Sequence, residues 1–249
     1  MIRKLVLDTL LASRRCRQRD LVLAMIAARI LFPASKLDTV ARWGQCTLAE
    51  ELAVGDVDED ELYEALDWLL GRQEAIEDKL AREHMGQGSS VLYDLSSSYD
   101  YGSHCPLAKF GHDRDGKKGL MVIVYSVLAN AAGCPVATHV YAGNTADPRT
   151  VADQAQKLRD RFGLERAVLV GDRGCITAAQ VKTFKEQPGL GWIGALRSTA
   201  IRMLLVQNLI QPSLFDQQNL AEIACADYPG ERLVACYNRC VRCAGTPAA

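Results

Sequence analysis

Two aspartates hold positions at which a carboxylate can carry out chemistry. Asp94 lies inside an otherwise uncharged run (VLYDLSSSY, 91–99), and Asp172 ends an apolar run (AVLVGD, 167–172). A carboxylate in a buried strand costs several kcal/mol unless it is paired or bound to a metal. Paired carboxylate oxygens suit Mg²⁺ or Mn²⁺, and such ions serve phosphoryl transfer. Asp94 and Asp172 are therefore candidate catalytic and metal-binding residues.

Each aspartate, taken alone, also has a structural interpretation. Asp172 would cap a turn, and Asp94 would be hydrogen-bonded locally. The functional interpretation requires that both acids reach one edge of a sheet, where α/β folds place their ligands at the carboxyl ends of strands. We therefore predict that the two carboxyl groups converge on one sheet edge.

The elements that must position these acids can be predicted from the hydrophobic pattern. Strand-like runs cover 91–99, 120–130, 135–143, 167–172 and 191–197, and helix-like runs cover 150–163 and 177–189. The run 120–130 is nearly all apolar, as in a strand that is buried on both faces. Three strands followed by alternating helix and strand predict a mixed sheet with helices packed on it. This is the order of a ribonuclease-H-like α/β fold, although periodicity alone does not exclude other α/β folds.

The residues before this sheet are predicted to be helical and carry an uneven charge. Residues 1–43 contain nine Lys or Arg against three acids, and residues 47–85 contain thirteen acids against three bases. The run 20–32 is predicted to be a helix that Pro33 stops, and a second helix is predicted over 59–84. The basic cluster at Arg14, Arg15, Arg17 and Arg19 fits either a DNA-binding arm or a solvated helix surface.

Composition limits the class of protein. The net charge is −1 over 249 residues, so the overall balance predicts no polyanion partner. Nine cysteines in a chain of this length favour free thiols in a reducing cytoplasm over a disulfide scaffold. No window is long and apolar enough to predict a membrane span, and no membrane partner is expected.

Several short motifs, in order, resemble those of DDE-type bacterial insertion-sequence transposases of the IS-four-like branch. The first catalytic strand of that family resembles YDLSSSY (93–99), its GN-x-x-D-x-x-T segment resembles GNTADPRT (143–150), and its second catalytic acid resembles VGDRG (170–174). Weaker similarities are PASKL (33–37), LAK (107–109), RDGK (114–117) and PGERL (229–233). The similarity covers roughly residues 15 to 238.

The resemblance implies DNA transposition, with strands cut and joined at the ends of an insertion sequence. Asp94 and Asp172 would hold Mg²⁺ or Mn²⁺, element ends and target DNA would be the partners, and a homodimer is compatible with the family. Arg173 could contact phosphate or pair with Asp172, and the loop lysines could contact the DNA backbone or be solvated. The candidate DNA-binding residues are Arg14, Arg15, Lys109, Lys117 and Arg173.

The chain departs from the family at its third acid, a Glu on a helix that follows an inserted β-rich segment. No matching pattern follows Arg197, and the odd composition of 239–249 suggests a frameshift or a premature stop. We expect little or no strand transfer by this chain alone. The alternatives are a regulatory remnant that binds element ends without catalysis and, less well supported, a ribonuclease-H-like nuclease outside transposition.

These patterns predict four regions along the chain. Residues 1–88 form a helical region that could bind DNA, and 89–197 form the catalytic core. Residues 198–238 begin the inserted segment, and 239–249 form a disordered tail.

Overall fold

The computed structural model describes residues 4–111, 119–172, 174–215 and 218–237. Residues 4–88 contain helices and connecting turns but no strand, which confirms the predicted helical region. The helices are α1 (Leu7–Leu11), α2 (Arg17–Leu31), α3 (Lys36–Trp43), α4 (Leu48–Glu51), α5 (Glu59–Leu70) and α6 (Gln73–His84).

Local sequence explains several of the helix ends. α2 ends two residues before Pro33, which cannot continue a helix. α3 begins after Ser35, whose hydroxyl accepts a hydrogen bond from the Asp38 amide at 3.1 Å. The single helix predicted over 59–84 is wrong, because Gly71, a residue of low helix propensity, lies between α5 and α6.

The helical region has its own apolar core. α2 contributes Leu21 and Val22, α3 contributes Trp43, and α5 contributes Leu62 and Ala65, all of them buried. Burial of a large aliphatic side chain stabilises a fold by about 1.5–3 kcal/mol. Packing between the helices therefore stabilises this region before the sheet begins.

The second part of the chain forms a five-stranded sheet with two helices in its connections. Its elements are β1 (Ser89–Asp100), β2 (Met121–Asn130), β3 (Pro135–Ala142), α7 (Asp147–Asp160), β4 (Ala167–Val170), α8 (Ala178–Lys185) and β5 (Leu190–Ile193). α8 begins after its N-cap residue, Thr177, which is also the first residue of the predicted helical run 177–189.

The strand order in the sheet is β3-β2-β1-β4-β5. β2 is antiparallel to both β1 and β3, while β1, β4 and β5 run parallel. This mixed sheet, with helices in the connections after β3 and β4, confirms the predicted ribonuclease-H-like α/β class. The carboxyl ends of β1, β3 and β4 therefore lie at one edge of the sheet.

One face of the sheet carries the main core. α7 packs Val151 and Leu158 against this face, where Val91, Tyr93 and Leu169 are buried. The expectation that 120–130 is buried on both faces is wrong, because alternate residues of β2 are only partly buried. The sheet thus has one closely packed face and one more open face.

The last described segment forms a separate small unit. It contains α9 (Ser198–Val206), a short 3-10 helix (Pro212–Phe215), and the antiparallel pair β6 (Leu220–Ile223) and β7 (Leu233–Cys236). The predicted tail, 239–249, lies outside the described residues. Over the described ranges, no helix combines the length and the apolar character that a membrane crossing requires.

Candidate functional site

Asp94 lies in the middle of β1, on the open face of the sheet. Burial alternates along this strand, so that Val91, Tyr93 and Leu95 are buried and Asp94 between them is exposed. Its Oδ1 accepts a hydrogen bond from the Leu95 amide at 2.9 Å. The premise of a buried acid is therefore wrong for Asp94, because the strand alternation turns its carboxylate to solvent.

Asp172 lies two residues beyond the end of β4 and is also exposed. Its Oδ1 accepts hydrogen bonds from the Gly174 amide at 3.0 Å and the Cys175 amide at 2.9 Å. An aspartate that accepts bonds from amides two and three residues later stabilises a turn. Both local hydrogen-bonding arrangements proposed as the structural interpretation are therefore present, and they hold the two carboxylates in fixed orientations.

The register of β1 and β4 brings the two aspartates to the same level of the sheet. Leu92 is the parallel partner of Val170, and each aspartate lies two residues further along its own strand. Because side chains alternate with a period of two, Asp94 lies on the same face of the sheet as Leu92, whereas Asp172 lies in the turn beyond the end of β4. Neighbouring strands lie about 4.8 Å apart, so this register brings the backbone at Asp94 close to the end of the strand that Asp172 follows.

A third carboxylate, Asp147, lies beside Asp172. A Cβ added to Gly174 would lie 3.4 Å from Asp172 Oδ1 and 3.8 Å from Asp147 Oδ2, so this glycine lies between the two acids. The Asp-Pro start of α7 also suggests that Asp147 caps this helix, but the structure does not bear this out. Asp147 is the first residue of the helix, and the N-cap is Ala146, whose methyl side chain cannot accept a hydrogen bond.

A buried hydrogen-bond network joins the first-strand motif to the GN segment. The Tyr93 hydroxyl donates to Thr150 Oγ1 at 2.5 Å, and the Thr150 hydroxyl in turn donates to the Asp147 carbonyl at 2.6 Å. The Tyr141 hydroxyl accepts from Gln154 Nε2 at 2.8 Å and contacts the Thr150 carbonyl at 3.4 Å. The residue before Asp94 therefore fixes the start of the helix that carries Asp147.

Both tyrosines in this network keep their protons at neutral pH. Burial raises the pKa of Tyr93 well above its usual range, although the hydrogen bond with Thr150 opposes this change. Burial also raises the pKa of Tyr141, against the hydrogen bond from Gln154. Each hydroxyl therefore stays a neutral donor.

The glycine of the GN segment fits a close contact between backbones. A Cβ on Gly143 would lie 1.9 Å from the Val122 carbonyl oxygen and 2.6 Å from that of Lys109, so only glycine fits. The Gly143 amide donates to the Leu107 carbonyl at 2.9 Å. The LAK and GN motifs, 36 positions apart in sequence from Leu107 to Gly143, are thus in direct contact.

The predicted DNA-binding residues lie in two different places. Lys109 is exposed on the loop after β1, and Arg14 is exposed before α2. Lys117 and Arg173 lie outside the described residues. Lys109 pairs with Val122, which is the partner of Tyr99 on β1, so Lys109 lies five residues further along the sheet than Asp94.

The other arginines of the basic cluster make intramolecular bonds. Arg15 Nε contacts Asp20 Oδ2 at 2.6 Å, and its Nη2 donates to a backbone carbonyl of the segment after α4. Arg17 Nε donates to Glu61 Oε1 at 2.7 Å, and Arg19 also pairs with Asp20. The Arg15 and Arg17 guanidinium groups therefore hold the start of α2 against the acidic segment, and both are used in intramolecular contacts. DNA binding by Arg15 remains a prediction.

The donor set suits a divalent cation that shares its coordination with a substrate. Mg²⁺ is commonly bound by one or two carboxylates together with substrate phosphates, and Asp94 and Asp172 supply two such groups. In the part of the chain that the structure describes, no three His, Cys, Asp or Glu side chains are grouped closely enough to hold a metal ion. A metal site at these two aspartates, with substrate oxygens completing the coordination, remains a prediction.

Sequence reasoning missed the contacts that join the helical region to the sheet. Glu77 of α6 is buried and forms ion pairs with Lys157 and Arg161 of α7, each at 2.8 Å. It also missed Gln180, whose Nε2 donates to the Pro148 carbonyl at 2.7 Å and ties α8 to the start of α7. One signal for Glu77 was available, since it occupies a helix face between apolar residues, where an unpaired carboxylate is costly.

Comparisons with known proteins give no family assignment. No protein-family model matches the chain, and no curated protein matches it. Among solved structures, the chain is similar to piggyBac transposase in a cryo-EM synaptic complex with hairpin DNA (TM-score 0.49, 13% identity, covering 88% of this chain and 50% of that one). It is also similar to Mos1 transposase in a paired-end complex with a left transposon end (TM-score 0.29, 10% identity, covering 79% of this chain and 72% of that one). The chain thus spans half the piggyBac chain, and similarities this remote carry no inference about what it binds or does.

Proposed function

We propose that the sheet edge carrying Asp94 and Asp172 is a metal-dependent phosphoryl-transfer site of the DDE transposase type, acting on DNA. The observation that carries this proposal is the register, since Leu92 pairs with Val170 and both aspartates follow at the same offset. The ordered motifs shared with insertion-sequence transposases support DNA, at element ends and at the target, as the substrate. The nine cysteines of a chain this long favour a reducing cytoplasm as the location, and a homodimer is compatible with the transposase family.

The chain's own residues would hold and orient the reacting groups. A divalent cation, when bound, activates an attacking oxygen and stabilises the leaving oxygen of a phosphodiester. Asp94 and Asp172 would bind it, and the turn amides that donate to Asp172 Oδ1 fix this carboxylate. Lys109, exposed on the loop after β1, would neutralise backbone phosphates further along the bound strand. Such a site works mainly through positioning and charge neutralisation.

Binding of Mn²⁺, measured by calorimetry, tests the site without requiring turnover. We expect Asp94→Asn and Asp172→Asn each to weaken binding by at least about tenfold, because each removes a charged oxygen ligand. Asp153→Asn is the matched control, since Asp153 is an exposed acid on α7, about 9 Å along the helix from Asp147. Equal Mn²⁺ affinity in wild type and both site variants would exclude the proposed metal site.

A second candidate function is DNA binding without catalysis. It is favoured by the lack of any three-ligand group within the described ranges, since the DDE resemblance implies a third acid. An assay of nicking and binding, with Mg²⁺ and labelled DNA duplexes, distinguishes the two functions. Nicking that Asp94→Asn abolishes without loss of DNA binding supports catalysis. Binding without nicking by the wild type, together with Mn²⁺ binding at the aspartates, supports the regulatory function and agrees with the expected lack of strand transfer.

A further inference from the structure

The loop between β1 and β2 exposes two aromatic rings beside a lysine. Tyr101 is 76% exposed and Phe110 is 70% exposed, and Lys109 next to Phe110 is also exposed. Among the Phe, Tyr and Trp side chains of the described residues, the only other exposed ring is Tyr63, at 50%. Two of these three exposed aromatic rings are thus concentrated in one loop at the carboxyl end of β1.

Phe110 is held by backbone contacts on both sides. Lys109 exchanges two backbone hydrogen bonds with Val122, of 3.1 and 2.9 Å, which adds it to the sheet. Gly111 lies against Gly143 so closely that a Cβ would be 1.7 Å from the Gly143 carbonyl oxygen. The Phe110 ring is therefore presented to solvent from a fixed backbone, which lowers the entropy cost of binding a partner.

Tyr101 follows directly after the last residue of β1. Asp100 Oδ1 accepts a hydrogen bond from the Gly102 amide at 3.1 Å, and this bond closes a turn around Tyr101. Asp100 and Lys109 pair with the consecutive β2 residues Met121 and Val122, from opposite sides of that strand. The backbones that carry the two rings are therefore separated by about two strand spacings, on the order of 10 Å.

We propose that Tyr101, Phe110 and Lys109 form a stacking platform for unpaired nucleotides of the DNA strand that enters the site. Exposed aromatic rings with a nearby cation bind single-stranded nucleic acid, because every base offers a face for stacking and every phosphate a charge. Bases inside a duplex already stack on their neighbours, so the platform favours single-stranded segments. This inference rests on the proposed function for the identity of the strand, but ring stacking itself needs no metal.

The geometry also sets the length of strand that can reach the platform. Asp94 and Asp100 are six residues apart on β1, which corresponds to about 20 Å along the strand. At about 3.4 Å per nucleotide along a stacked strand, this distance spans about six nucleotides. An unpaired tail of eight nucleotides should therefore reach both the aspartates and the rings, and a tail of two should not.

Fluorescence anisotropy with labelled oligonucleotides tests the platform. We expect Tyr101→Ala and Phe110→Ala each to weaken binding of an eight-nucleotide tail by about 5- to 150-fold, as loss of one stacked base predicts. Binding of blunt duplex or of a two-nucleotide tail should stay within about twofold. Tyr101→Phe keeps the ring and should bind as the wild type, and Tyr63→Ala is the control for loss of an exposed ring.

The platform would be overturned if the Tyr101→Ala, Phe110→Ala double variant bound the tail with unchanged affinity, or lost as much affinity for blunt duplex as for the tail. It would also be overturned if the double variant sedimented as a smaller species than the wild type, because the rings would then pack against a second copy of the chain. Because both rings are exposed, we expect the variants to unfold at the same temperature as the wild type, and thermal unfolding checks that their fold is intact. Tail binding is measured without divalent cations, so that it reports ring stacking alone. Failure of the platform is thereby separated from failure of the metal site, which Mn²⁺ binding reports alone.

Discussion

The contact between the helical region and the sheet provides the sharpest test of the packing argument, through the substitution Glu77→Gln. The Glu77 carboxylate receives hydrogen bonds from Gln73 Nε2 at 2.9 Å and the Thr138 amide at 3.0 Å. It also forms ion pairs with Lys157 and Arg161, each at 2.8 Å. The side chain is 5% exposed, so these partners replace almost all of its hydration.

The expected loss of stability follows from removing one partner of a buried ion pair, which costs about 3–5 kcal/mol. The glutamine keeps the shape but removes the charge opposite Lys157 and Arg161, whose side chains are 13% and 22% exposed. Arg161 also pairs with Asp78 at 2.9 Å, which favours the lower end of this range. A loss of about 3 kcal/mol lowers the Tm of a chain of this size by about 6–12 °C.

Urea and thermal unfolding followed by circular dichroism measure this loss. The matched control is Glu61→Gln, which breaks the more exposed ion pair with Arg17 and should cost no more than about 1 kcal/mol. Equal losses in the two variants would refute the reasoning, because burial would then make no difference to the energy of the pair.

The same substitution has a defined pH dependence. Burial alone would raise the pKa of the Glu77 carboxyl, but hydrogen bonds from Lys157, Gln73 and the Thr138 amide outweigh this effect and lower it below 4.5. A lowered pKa in the folded state contributes stability above the ordinary value, and this contribution is lost as the pH falls towards the folded-state pKa. The stability difference between wild type and Glu77→Gln should therefore narrow below about pH 4.

Two further predictions concern the motifs at the sheet edge. Gly143→Ala should lower the free energy of unfolding, measured by urea titration, by about 3 kcal/mol, the upper end for overpacking. Gly44→Ala is the control, because no atom lies within 4 Å of the added Cβ, and it should change this free energy by no more than about 0.5 kcal/mol. Thr150→Val leaves the buried Tyr93 hydroxyl without its acceptor and should lower the free energy of unfolding by about 1–3 kcal/mol. Thr150→Ser keeps the acceptor, so equal unfolding midpoints for the two Thr150 variants would contradict the hydrogen-bond network.

Pattern and motif order were sufficient to predict the sheet. The run of three strands followed by alternating helices and strands corresponds to the observed order, with β1 central between β2 and β4. Asp94 and Asp172 follow at equal offsets from a paired register, as convergence on one edge requires. Binding of metal and DNA at this edge remains a prediction.

The features that the sequence did not predict depend on contacts between distant residues. The exposure of Asp94 depends on which face of β1 the helices cover, and the strand pattern alone leaves that choice open. Glu77 and Arg161 are 84 positions apart, and Tyr93 and Thr150 are 57 apart, so no local signal links them. Asp147 and Asp172 are likewise distant in sequence, and the fold brings both beside Gly174.

The loop after β1 is fastened to the sheet by its main chain. The backbone amides of Lys109 and Val122 each donate a hydrogen bond to the carbonyl of the other residue, and the Gly143 amide donates to the Leu107 carbonyl. Among the residues at these contacts, Gly111 and Gly143 have no room for a side chain. Replacement of the outward-facing side chains of this loop therefore leaves its anchorage untouched. In related chains, these outward-facing side chains could therefore vary, and change what the loop binds, at almost no cost to folding.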